Sequence, residues 1–407
     1  MTGLGKTTVA QTTSTERFSV QATFVLLYAA ADPGGLIADT LVPPGLETSE
    51  PDLAVERIVR IQETERRMLG DRYRRAQRVS RRVVGRLPLG DVIEGELVAD
   101  VYRVTHISGA AAWEVWLTAP TQPLSVSEWI ARLSFTTEGS LAARIWLALA
   151  AAPDGPEGGQ SEAPELYLPF SILRVPDHDL ATILAQMGTD LVRLVHLDGS
   201  REPFKPSFVA HELAQDFCLR EGGLSLLSPR SALDLHCGPT ALEQAALPLL
   251  ITLELLALER AALRRFHERL VGERTKRLDE LLQLKRDVAD GLEEYYGALA
   301  VGNVFSAQAT ALGQSLLGID DLHRSVLGRL DTVTFGITTR LEQRTNRVSL
   351  WLAILFGAIG TGFLAEAIAT WYYHDANALG SVIAWAAAGT LATALVISLL
   401  FRIMTRE

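Results

Sequence analysis

The sequence predicts an α/β domain followed by a long helical stalk and two apolar helices near the C-terminal end. Three observations carry that prediction. Residues 18–236 alternate short apolar runs with turn signals such as DPGG, LPLGD and LDGSREP, the texture of strands and short helices. Beyond Gly238 the chain is dominated by Leu, Ala, Glu and Arg, which are strong helix formers. Finally, residues 348–373 and 379–401 are apolar over lengths that span a bilayer core of roughly 30 Å, at about 1.5 Å of helical rise per residue.

Composition narrows the function. With 407 residues and 48% hydrophobic content, the chain can bury a core in more than one domain. Its 38 basic and 48 acidic residues leave a net charge of −10, which argues against nucleic acid as a partner, because phosphate backbones reward a basic surface. An acidic protein suits the handling of cations. The two cysteines, Cys218 and Cys237, have no CxxC spacing, so neither a disulfide framework nor a structural zinc site is expected.

Each segment then has a local reason. Residues 1–16 read as a disordered polar N-terminus: MTGLGKTTVA carries the Gly-Lys-Thr of a phosphate loop, but not the leading glycine and core strand that make such a loop bind phosphate. The α/β domain is expected over 17–237. Within it FVLLYAAA, 24–31, is too short for a signal peptide and reads as a buried strand. PDGPEGGQSEAPE, 153–165, has loop composition. Residues 52–87 hold eleven arginines, with Val55, Ile58, Val59, Met68, Leu69, Tyr73, Ala76, Val79 and Val83 near helical spacing. This predicts one amphipathic helix with a charged face that is either solvated or turned to an anionic ligand, lipid headgroup or acidic neighbour.

Residues 238–301 are expected to form helix, with a break at Gly302-Asn303. The stalk helix, 302–347, shows apolar residues from Leu312 to Leu341 at a mean interval of about 3.6 residues and runs without a strong breaker into the first span. That span covers 348–373, the outer loop 374–378, the second span 379–401 and a basic tail 402–407. Arg340, Arg344, Arg347, Arg402 and Arg406 flank the spans on one side, while HDANA between them has no Lys or Arg. Both ends should therefore be cytoplasmic in a multi-pass protein of the cell (inner) membrane. Trp371, Tyr372 and Tyr373 fall where an outer aromatic belt is expected. Glu366 is the one charge in the first span, and an acid at that depth usually faces a bundle interior or a water-filled path.

The order of parts resembles the CorA-type metal ion transporters, the two-span family built around magnesium channels. The local match is RLEQRTNRVSLWLAILF, 340–356, where Thr345 and Asn346 match the Thr-Asn pair that members often carry before the first span. The resemblance implies a CorA-like homopentamer in the bilayer, its pore lined by Asn346, Ser349, Leu352, Phe356, Gly360 and Phe363, with Glu366 further out. Leu352 and Phe356 would be a hydrophobic constriction. Thr370, Trp371 and Tyr372 occupy the place of the family's Gly-Met-Asn signature, so the chain resembles a divergent member. They would form the outer mouth with His374 and Asp375. Glu366 and Asp375 are the candidate cation ligands, for magnesium, cobalt or zinc passing through; no resident cofactor is expected.

No nucleophile elbow, HExxH motif or glycine-rich dinucleotide loop is present, so an enzyme is not expected. Two functions follow. One is a channel or transporter passing metal cations passively; the other is a ligand-gated or non-transporting membrane effector whose cytosolic domain binds a signal.

Overall fold

A computed structural model describes residues 19–31, 51–75, 79–88, 98–106, 108–118, 122–123, 125–135, 139–150, 164–200, 202–238, 242–271, 282–283, 285–286, 288, 304–372 and 379–404. The predicted N-terminal segment, most of the 153–165 loop, the Gly302-Asn303 break, and His374 and Asp375 lie outside them. The chain divides into two compact units. The first holds residues 1–275 and 284–329, the second residues 276–283 and 330–407.

The first unit is built on an eight-stranded sheet. Its strands are β1 (Ser19–Ala31), β2 (Val79–Pro88), β3 (Val98–His106), β4 (Ala110–Thr118), β5 (Gln122–Pro123), β6 (Leu166–Val175), β7 (Gly223–Leu227) and β8 (Ala232–Cys237). The order is β2-β3-β4-β1-β6-β8-β7, with β5 on the end of β1, and every pair is antiparallel except β6–β8. The apolar run at 24–31 is the C-terminal part of β1, and Phe24 to Ala29 are fully buried. Both neighbours of this central strand are in the sheet and both of its faces are covered, which is why it reads as a continuous hydrophobic run instead of an alternation.

Helices cover each face. On one side α2 (Val126–Leu133), α3 (Leu141–Ala150) and α4 (Leu180–His196) bury Trp129, Trp146 and Leu191 against Phe24, Tyr28 and Trp113. Phe24 and Trp129 stack at 4.0 Å, and the Tyr28 hydroxyl donates to Ala142 O at 2.8 Å. Asp179 caps α4 by accepting from Thr182 N at 2.8 Å. A short helix, α5 (Pro206–Leu213), packs on α4. The opposite face carries α6 (Leu242–Val271), which crosses β1, β4 and β6, with α1 (Pro51–Arg75) and α7 (Val304–Leu316) against it. Residues 246–263 of α6 are almost all buried, as expected of a helix that is apolar around most of its circumference.

Two predicted elements are corrected here. The arginine-rich stretch 52–87 is not one helix: it is α1 up to Arg75 and then β2 from Val79. The sequence VSRRVVG fits a strand as well as a helix, and pairing with β3 decides. The buried stripe of α1 runs through Ile61 and Met68, while Val55 and Val59 are exposed. The stalk is also not continuous from 302. α7 ends at Leu316, and α8 (Ile319–Tyr372) begins after Gly318, whose φ of +66° is a left-handed conformation that glycine adopts without strain.

The second unit contains most of α8, the 54-residue helix, and α9 (Leu379–Met404). α8 is long and apolar enough to cross a membrane. The described apolar stretch of α9, 380–396, is shorter. The two helices meet through small residues. A Cβ at Gly389 would lie 2.9 Å from Ala365 Cβ and 3.6 Å from Thr361 O, and one at Gly362 would collide with Thr390 Oγ1. Close helix approach through small residues of this kind is typical of membrane helix pairs. The hydroxyls of Thr361, Thr390 and Thr393 return to their own helices at 2.8–3.0 Å.

Candidate functional site

The residues expected to line a pore lie together on α8. At about 100° per residue, Ser349, Leu352, Phe356, Gly360 and Phe363 centre roughly 160° around the helix from the largely buried line Ile354, Ala358, Gly362, Ala365 and Ala369, whereas Asn346 lies about 120° from that line and Glu366 about 80°. All seven are exposed, and Phe356 and Phe363 each keep 67% of their surface. Among the described residues nothing covers the face turned away from α9, and Glu366 lies at its margin. The Glu366 carboxylate has no hydrogen bond or ion pair among the described residues, while its carbonyl accepts from Thr370 Oγ1 at 2.7 Å. Trp371 and Tyr372 are exposed at the end of α8, but Gly360 is not among the small residues that approach α9. Among the described residues no three His, Cys, Asp or Glu side chains come together as a metal site.

A second group of ionisable residues is buried in the first unit, between the sheet and the α1/α6 layer. Arg81 of β2 is 1% exposed. Its Nη1 meets Glu65 of α1 at 3.0 Å, its Nε meets Glu114 of β4 at 3.3 Å, and its Nη2 donates to Glu254 of α6. Trp116 Nε1 donates to the other Glu114 oxygen. One guanidinium thus faces three carboxyl groups. Burial first, then the neighbouring Glu114 charge, pushes the Glu254 carboxyl well above its usual range against the pull of Arg81. Its Oε1 is buried and has no hydrogen-bond partner among the described residues by geometry, although it lies near the Glu114 carboxylate. Alongside, Arg57 bonds Asp100 at 3.0 Å and Tyr102 Oη at 3.1 Å beneath Trp116, and Arg86 also reaches Asp100 at 3.0 Å. Arg60 and Arg67 pair with Glu56 and Glu63 one turn away on α1. Arg57, Arg81 and Arg86 are thus satisfied by the protein's own carboxylates, while Arg60 and Arg67 pair on an exposed face, in keeping with the solvated surface expected.

A cavity of about 160 Å³ opens at the β7/β8 edge between Pro248 of α6 and Phe305 of α7. Cys218, Arg220, Ser225, Asp234 and His236 supply its polar lining. Ser225 and Asp234 are directly opposite across the strand pair, and Ser225 Oγ donates to Asp234 Oδ1 at 2.6 Å. His236 Nε2 meets Asp234 Oδ2 at 2.6 Å. His236 and Cys237 are adjacent in sequence, but adjacent strand residues point to opposite faces. Cys237 instead packs against the core under α4, and the thiol that shares the cavity with His236 is Cys218. The alternation Asp-Leu-His was the available signal, since it puts the two polar groups on one face. Both cysteines are free, and burial pushes both thiols up from their ordinary values.

Further along α6, burial pushes the Glu259 carboxyl up to about 7, with nearby Asp320 adding to the rise, even though Gln314 Nε2 of α7 donates to it at 3.4 Å. Comparison of the chain with protein-family models, with curated proteins and with solved structures finds no match in any of the three.

Proposed function

We propose that the protein is a CorA-like membrane cation channel, in which several copies, five on the family resemblance, surround a pore with the α8 face that bears Glu366. Metal cations pass down their electrochemical gradient without a coupled chemical step. The observation that carries this function is the Glu366 carboxylate, exposed and without a partner among the described residues, on the flank of an apolar helix about 80° around from its α9 contact line. An ionised acid facing lipid costs about 2.5–3.5 kcal/mol at the centre of a span, and a ring of such acids around a wet path avoids that cost. α9 completes a hairpin, so the chain crosses the membrane twice with both ends in the cytoplasm. Asn346 takes the inner mouth, Leu352 and Phe356 the constriction, and Thr370 with Trp371 and Tyr372 the outer end.

Cross-linking the purified protein in nanodiscs, followed by mass measurement, tests the assembly. A single closed ring of five supports the proposal, and a monomer rejects it. Flux of magnesium, cobalt, zinc, sodium and potassium into liposomes then identifies the ion.

A second function is favoured by the cavity in the first unit. Its convergent polar groups suit a small ligand. In that case the membrane helices respond to a cytosolic signal. Cation uptake that needs no added cytosolic ligand selects the channel, and leak that appears only with a ligand selects the gated effector.

A further inference from the structure

We propose that Cys218 is the nucleophile of a modification site for small soft electrophiles of the α,β-unsaturated carbonyl class, with His236 as its base and Asp234 as the residue that orients the imidazole. Asp234 accepts from Ser225 Oγ on one oxygen and meets His236 Nε2 on the other, both at 2.6 Å. The Nε2–H tautomer is the one that satisfies this carboxylate, which leaves Nδ1 as a lone pair. The His236 side chain is nine-tenths buried, lines the cavity, and its Nδ1 has no partner among the described residues. Gly223 separates this nitrogen from the thiol: a Cβ there would lie 2.5 Å from Cys218 Sγ and 3.7 Å from His236 Nδ1. The thiol rests as a weak donor to Arg220 O at 3.9 Å; thiol and base border the gap that the absent side chain keeps open, and the proton crosses it once the thiol turns away from that carbonyl.

The site has the dimensions and charge for such a reagent. About 160 Å³ is well below the roughly 300–1,000 Å³ of sites for drug-sized ligands, so the electrophile is small. Leu219, Pro248 and Phe305 give it an apolar wall, and Arg220 at the exposed rim offers positive charge to a carbonyl oxygen. In the addition, His236 Nδ1 takes the Cys218 proton while Sγ forms a bond to the β-carbon. The π pair moves toward the carbonyl, and the proton is returned to the α-carbon. No bond leaves the adduct and nothing is oxidised. Burial holds the resting Cys218 sulfur as a thiol, which makes the base necessary, because the thiolate is the attacking species. Cys237, on the other face of β8, has no part in it.

The test is site-resolved mass spectrometry of the detergent-solubilised full chain after timed exposure to N-ethylmaleimide at pH 7. Cys218 is expected to react at least tenfold faster in the folded protein than in urea, where a buried, unassisted thiol would instead be the slower one when folded. His236→Gln and Asp234→Asn are each expected to lower the Cys218 rate tenfold or more and leave the Cys237 rate unchanged. Should either variant unfold, Cys237 would accelerate to its rate in urea, and the folded-against-urea comparison on the unmodified protein then decides alone. A Cys218 rate no higher folded than in urea, or one that His236→Gln leaves intact, overturns the proposal.

Discussion

Arg81→Met tests how the sheet face beneath α1 and α6 is held. The guanidinium is 1% exposed and is shared by Glu65, Glu114 and Glu254, the last two with side chains only 0% and 3% exposed. Methionine fills much of the same volume but leaves those carboxyl groups without a counter-ion. Removing one partner of a buried ion pair costs about 3–5 kcal/mol. Burial already favours the neutral form of Glu254, which puts the expected loss at the lower end, about 3 kcal/mol. For a domain of this size that corresponds to roughly 6–12 °C in Tm. The pH dependence has a definite sign. Glu254 titrates above its unfolded value, so its contribution is complete below about pH 4.3 and is lost as pH rises through the native value. Without Arg81, the partner that lowers it, the group titrates higher still, and the deficit of the variant should shrink on acidification from pH 8 to pH 5. Urea unfolding of the solubilised chain, followed by tryptophan fluorescence, measures both. A loss under about 1 kcal/mol, or a deficit that does not move with pH, would refute the account of this cluster.

Three further outcomes are expected. Glu259→Gln should be more stable than the parent at pH 8 and nearly equal to it at pH 4, because a buried carboxyl at about 7 loses its advantage between the ordinary carboxylate range and pH 7; the difference is bounded by about 3 kcal/mol and is read from thermal melts across pH. Gly362→Val should drive Thr390 away from α8 and cost about 1–3 kcal/mol, visible as easier proteolysis or a lower melting temperature in detergent, whereas Gly360→Ala, whose Cβ meets nothing within 4 Å, should leave the hairpin unchanged. Tyr28→Phe should cost about 1 kcal/mol by removing the hydroxyl that donates to the buried Ala142 carbonyl, as measured by urea titration.

The elements legible in the sequence are those whose neighbours impose no pattern beyond their own. β1 is buried on both faces, α6 is buried nearly all round, and α8 is apolar over its last seven turns, so each announces itself in a single run of residues. The helix–strand switch within 52–87 was not legible. Arg81 is an inward-pointing charge on a strand, and what makes it tolerable is Glu114 and Glu254, 33 and 173 residues further on. Local spacing counted Arg81 as surface and, with it, the whole segment as one helix. The break at Gly318 was hidden because Leu316 and Ile319 keep the helical interval across it. Of the site residues, the α8 line was readable from periodicity because one helix carries all of it. The cavity was not, since Cys218 comes from the loop before β7, His236 from β8 and Phe305 from α7, and only the fold brings them together.

Glu366 carries the central claim, and its replacement by glutamine is the most direct measurement. Glutamine keeps the size and hydrogen-bonding of the side chain and removes only its charge. Purified wild-type and Glu366→Gln protein, matched for oligomer size, are reconstituted in liposomes, and divalent and monovalent cation uptake is followed under a fixed membrane potential. A pore with this carboxylate on its wall should lose roughly tenfold of its cation flux, equivalent to about 1.4 kcal/mol at the site. Equal flux through both proteins, or none through either, would contradict a cation path along this face of α8.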